Sequence, residues 1–178
     1  ITITNATWDS ASVGFAQGGT NNFIKVLTNG VWNLNNNGLS VAGSAVAFGN
    51  YIYIDSGIVS NVNSLTTFGG VAGANSNSIY VVNGGQLLIN GGLTVGSAAG
   101  AQSNAVFIGG AGNASFVTSG VITVGSTGAG YNTMTVTNAS ILSSGLTIGT
   151  GSSNNTVTVN NLGTVNLLQG ELKIGRAH

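Results

Sequence analysis

The chain predicts an all-β, single-domain parallel β-solenoid, a β-helix with three short strands per coil and about six and a half coils of 24–29 residues. Three observations lead there. A short motif recurs at solenoid spacing, aliphatic residues fall into aligned columns with strand alternation, and no apolar period of 3.6 residues is sustained anywhere.

The stretch from Leu146 to Gly170 contains one full unit. It opens on Leu146-Thr147-Ile148-Gly149, crosses a polar turn to Asn155-Thr156-Val157-Thr158-Val159, turns at Asn160-Asn161-Leu162-Gly163 and continues through Thr164-Val165-Asn166-Leu167-Leu168. The opening recurs as Leu39-Ser40-Val41, Leu65-Thr66-Thr67, Leu93-Thr94-Val95-Gly96, Ile122-Thr123-Val124-Gly125 and Leu172-Lys173-Ile174-Gly175, with Ala11-Ser12-Val13-Gly14 as a weaker first copy. Repeats of this length form elongated stacks in which each unit contacts its neighbours. The expected domain is therefore the whole of 1–178.

The second strands align in two columns, Ile1, Ile24, Ile52, Ile79, Val106, Met134 and Val157, then Ile3, Val26, Ile54, Val81, Ile108, Val136 and Val159. Side chains alternate faces along a strand, so both columns point inward. Third strands add Trp8, Trp32, Val59, Leu87, Phe116, Ile141 and Val165, which makes both tryptophans core residues. First strands add Leu39, Leu65, Leu93, Ile122, Leu146 and Leu172, with Val41, Thr67, Val95, Val124, Ile148 and Ile174 two residues later. The same strand returns at the same place in each coil, which calls for parallel pairing.

Asn22, Asn50, Asn77, Asn104, Asn132 and Asn155 stand two residues before the first inward column. An amide side chain both donates and accepts, so stacked copies about 4.8 Å apart are expected to bond from coil to coil as a structural ladder. The small residues Ala6, Gly30, Gly57, Gly85, Ala114, Ala139 and Gly163 mark the second corner.

Composition narrows the function. Only 3% of residues are charged and the formal net charge is zero, so the chain has no basic footprint for nucleic acid. No apolar run reaches the ~18 residues of a membrane span, and no signal-like segment opens the chain. Cysteine and proline are both absent, which leaves 30 glycines and many asparagines to make the turns. The ionisable set is Asp9, Asp55, Glu171, Lys25, Lys173, Arg176 and His178, too scattered for a catalytic pair or a metal site. No enzymatic activity, cofactor or metal is expected, and His178 reads as a tail residue.

Two outward columns carry what functional signal there is. On the second strand it is Thr2, Lys25, Tyr53, Tyr80, Phe107, Thr135 and Thr158, with three adjacent aromatics that suit a lateral protein contact, a glycan platform or cross-coil packing. On the first strand it is Ser12, Ser40, Thr66, Thr94, Thr123, Thr147 and Lys173, a one-residue-wide array for which ice binding is a minor alternative.

Both terminal coils read as incomplete. The first lacks a first strand and the last has only a first strand, which exposes Ile1, Ile3 and Trp8 at one end and Leu172 and Ile174 at the other. Head-to-tail contact between copies through these ends is heterologous and need not close, so a homopolymeric filament is expected.

The Leu/Ile-Thr-Val/Ile-Gly openings, Asn155 to Val159 and Asn83 to Leu87 resemble the repeats of bacterial secreted β-solenoids, autotransporter passengers and filamentous adhesins. That resemblance implies an extracellular or cell-surface location and a structural or adhesive role. The leading expectation is a self-assembling structural fibre. The alternative is an adhesin or carbohydrate-binding arm.

Overall fold

The computed structural model describes residues 1–11, 13–63, 66–118 and 120–175, and among these there is no helix. Their 21 strands run in a fixed order through three parallel sheets of seven strands each. Sheet A holds the second strands, Thr2–Ile3, Phe23–Val26, Tyr51–Asp55, Ser78–Val82, Ala105–Gly109, Thr133–Thr137 and Thr156–Asn160. Sheet B holds the third strands, Thr7–Asp9, Val31–Asn37, Ile58–Val62, Gln86–Ile89, Ala114–Thr118, Ala139–Leu142 and Thr164–Asn166. Sheet C holds the first strands, Val13–Phe15, Leu39–Val41, Thr66–Phe68, Leu93–Val95, Val121–Val124, Gly145–Ile148 and Leu172–Ile174. The chain is a β-solenoid with three strands per coil. Counted from sheet A, its strands form seven A-B-C sets.

β-branched and aromatic residues build these strands because alternate side chains fill a narrow interior. In sheet A the registers Ile52↔Ile79, Val106↔Ile79 and Met134↔Val157 put the two aliphatic columns in line. In sheet B, Trp8 stacks on Trp32 with centroids 5.3 Å apart and an 11° interplanar angle, and the Trp32 indole N–H donates to Ser10 Oγ at 2.9 Å. Trp32 is fully buried and Trp8 half-buried. The run Asn35-Asn36 forms an irregularity in this sheet, with both residues at positive φ, 49° and 61°.

Sheet C departs from the expected register in two coils. Thr67 pairs with Thr94 and Phe68 with Val95, one residue later than the alignment that starts at Leu65, and Leu65 itself lies outside the described residues. In the first coil the shift is two residues, since Val13 rather than Ala11 pairs with Leu39 and Phe15 with Val41, while Ser12 lies outside the described residues. A one-residue slip, as at Thr67, exchanges the faces of a strand, whereas a two-residue shift keeps them. The outward column is therefore Gly14, Ser40, Thr67, Thr94, Thr123, Thr147 and Lys173. The physical reason is core filling: Phe68 is fully buried at the place the shifted alignment gave to Thr67.

The asparagine ladder is continuous. The Asn50 amide donates to Asn77 Oδ1 at 3.0 Å, Asn77 to Asn104 Oδ1 at 3.1 Å and Asn104 to Asn132 Oδ1 at 3.1 Å. Asn22 and Asn132 continue it to Asn50 and Asn155 at 3.1 Å. Each backbone N–H from Asn22 to Asn132 also donates to the next coil's Oδ1. On the other side, the Nδ2 groups of Asn77, Asn104 and Asn132 reach back to the carbonyls of Ala47, Ala74 and Ala101. Those alanines are themselves a buried column in the corner, a feature the strand-based alignment passes over. Successive ladder asparagines are 28, 27, 27, 28 and 23 residues apart, yet the bonds keep one length, so the corners absorb the variation.

The left-handed backbone makes these corners. The residue after each of the first six sheet C strands has positive φ, Ala16, Ala42, Gly69, Gly96, Gly125 and Gly149, and so does the one before each ladder asparagine, Asn21, Gly49, Ser76, Ser103, Tyr131 and Asn154. At the second corner the small residues answer to space instead. A Cβ at Gly30, Gly57, Gly85 or Gly163 would meet the carbonyl oxygen of Ile3, Val26, Ile54 or Val136 in the preceding coil at 2.5 to 2.7 Å.

Candidate ligand-binding face

The outward side of sheet A has the densest grouping of aromatic and ionisable side chains. Strand alternation places every second residue there, and in-register pairing sets Lys25 beside Tyr53, Tyr53 beside Tyr80 and Tyr80 beside Phe107. The three aromatics singled out in the sequence are therefore neighbours. Their rings are tilted, with centroids 6.1 Å and 6.5 Å apart and interplanar angles of 49° and 45°.

Two further aromatics join them. Phe23 and Tyr51 occupy the outward position two residues earlier on their strands and stack at 5.5 Å and 16°. Their signal was present as Phe23-x-Lys25 and Tyr51-x-Tyr53, a period of two that carries both residues to one face. The next coil has Ser78 in register with Tyr51. Tyr80 meets the Tyr51 ring edge-on, at 6.4 Å and 78°. Stacked rings cover each other's faces, whereas a tilted ring keeps one face open. Tyr80 is 36% exposed, and Lys25, Tyr51, Tyr53 and Tyr80 line a shallow groove.

The polar groups around the groove are fixed by neighbours. Tyr53 donates its hydroxyl to Asp55 Oδ2 at 3.3 Å, while Asp55 Oδ1 accepts from Ser56 Oγ at 3.1 Å and Asn83 Nδ2 at 3.2 Å. Partial desolvation and the Asp55 carboxylate hold the Tyr53 phenol above its ordinary value, so it stays a protonated donor. The Lys25 ammonium lies 5.1 Å from the Phe23 ring centroid, within cation–π range.

Other expected sites are spread along the molecule. Asp9 lies on sheet B, where Oδ1 accepts from Asn33 Nδ2 at 2.7 Å, and Asp55 lies on sheet A. Glu171 and Lys173 form an exposed ion pair at 2.9 Å, which lowers the carboxyl's pKa and raises the ammonium's. Arg176 and His178 lie outside the described residues. Along the outward column of sheet C, Thr94 is buried while Thr67, Thr123 and Thr147 are partly exposed. At the ends, Ile3 is buried and Trp8 half-buried, while Ile1, Leu172 and Ile174 are exposed.

Comparison with protein-family models, curated proteins and solved structures finds no match for this chain. The face is read from its own chemistry.

Proposed function

We propose that this chain is a rigid extracellular β-solenoid arm that binds carbohydrate through the outward face of sheet A. The observation that carries the reading is the groove of Lys25, Tyr51, Tyr53 and Tyr80, with a partly exposed tilted ring above hydrogen-bonded polar groups. Pyranoses offer an apolar face to an aromatic ring and hydroxyls to polar groups at its edge. A continuously paired parallel sheet holds those rings in place before the ligand arrives, which reduces the ordering cost of binding. The secreted-solenoid resemblance of the repeats supports a cell-surface or extracellular setting, and the near absence of charge suits a neutral polar environment.

A glycan array probed with the purified chain tests this. Binding to one or more oligosaccharides is expected, with at least a tenfold loss on Tyr80→Ala, about 1.4 kcal/mol. Tyr80 is on the outer face, so circular dichroism of the variant should match the parent. Binding that survives Tyr80→Ala, or no binding to any sugar, would defeat the reading.

A second reading, head-to-tail self-assembly, is favoured by the apolar surface of the last coil. Leu172 is 56% and Ile174 71% exposed, whereas their counterparts Ile122 and Val124, with a coil on either side, are buried, so a further stacked coil would cover them. Fibres in negative stain that disappear on Ile174→Asp, with the sheet signal retained, would support a second copy as that neighbour. A chain that stays monomeric at high concentration would remove it.

A further inference from the structure

The groove's lining holds one cation, Lys25, and the carboxylate of Asp55 stands beyond Tyr53 at its margin. Asp55 accepts from Tyr53, Ser56 and Asn83, so its carboxylate is already satisfied by three neutral donors. Lys25, by contrast, takes no part in an ion pair among the described residues, where the single pair is Lys173 with Glu171 on the last coil. Its ammonium is steered over the Phe23 ring and borders the same groove as the three tyrosines.

Resting on the carbohydrate reading above, we infer that the groove selects an acidic saccharide, a pyranose whose apolar face lies on Tyr80 and whose carboxylate pairs with Lys25. An ammonium is a compact charge with three donors, suited to a single carboxylate held at one edge of a ring. The contact with Phe23 restricts the lysine side chain beforehand, so less rotamer freedom is lost when the ligand binds. On the strand beside Lys25 the outward carboxylate of Asp55 is tied to Tyr53, Ser56 and Asn83, and the outward residues further along are neutral: Ser78 and Tyr80, then Ala105 and Phe107, then Thr133 and Thr135. Among the described residues, Lys25 is the one cationic side chain on this face.

The test uses an oligouronate and its methyl ester, which share rings and linkage and differ in charge. Calorimetry should show the acid binding about tenfold more tightly than the ester, the size expected for one charge-assisted hydrogen bond at a partly exposed site. Lys25→Gln should bring the acid down to the ester's affinity and leave the ester unchanged, while Tyr80→Ala should abolish both. Equal binding of acid and ester by the parent chain would overturn the acidic preference and leave carbohydrate binding intact. A preference that persists in Lys25→Gln would overturn the role of that residue. If neither probe nor any other sugar binds, both readings fall together.

Discussion

At the scale of single residues, the ladder asparagines are unequal although the sequence writes them identically. Asn104 is fully buried, donates to Asn132 and Ala74 and accepts from Asn77, so replacing it strands polar groups on both neighbouring coils. Asn22 is exposed and its side chain bonds only forward, to Asn50. Each stranded buried group costs ~1–3 kcal/mol. Asn104→Leu should therefore cost about 3–5 kcal/mol and Asn22→Leu about 1 kcal/mol or less, read from denaturant unfolding. Equal losses would mean that the amides contribute by shape alone. Asn35 is unsuited as a control because its positive φ of 49° adds a backbone penalty to any leucine placed there. Ladder membership was legible because one offset recurred in every copy; depth within the stack was not, since it depends on how many coils cover each residue.

At the scale of elements, the first strand and its corner form one unit. Gly125 and Gly149 both follow a sheet C strand in left-handed conformation, at φ 77° and 73°. A Cβ at Gly125 would collide with the Asn155 amide, whereas at Gly149 its nearest neighbour would be Ser152 O at 3.4 Å. Gly149→Ala should cost about 1–2 kcal/mol, the left-handed penalty alone. Gly125→Ala should cost about 1–3 kcal/mol more, because the Asn132–Asn155 bond must give way. Thermal melts of the two variants check the difference, and identical melts would sever the link between corner and ladder. The repeating Val/Ile-Gly ending made these corners readable. The third copy was not, because Leu65-Thr66-Thr67-Phe68 allows two registers by hydropathy and only burial of Phe68 separates them. Phe23 and Tyr51 were likewise visible in the alternation but attached to no repeated motif.

At the scale of the whole molecule, three sheets share one core and every coil is supported by those on either side. Repeat stacks of this kind have stability that is a sum over units and their interfaces, with the least-covered coils opening first. Hydrogen exchange should be slowest in Ser78–Val82, Ala105–Gly109 and Thr133–Thr137 and fastest in Leu172–Ile174, whose side chains are all exposed. Uniform protection across these strands would show that the stack opens as one body. The parallel architecture was readable from the columns, since identical strands recurring in order leave little alternative.

The tolerance of the ladder for coils of 23 to 28 residues means that this molecule works as a ruler graduated in turns. Its length can be edited in whole graduations. Excising Ser78 through Asn104, one period of 27 residues, joins Asn77 directly to Ala105 and brings like corner against like corner. The shortened ruler keeps its three sides and its polar seam but loses Tyr80, so Tyr53 would stand beside Phe107. Duplicating the same segment would instead give two Tyr80 graduations one coil apart. Reach and the number of Tyr80 rings on this face are therefore set by a single operation, the number of times one period is copied.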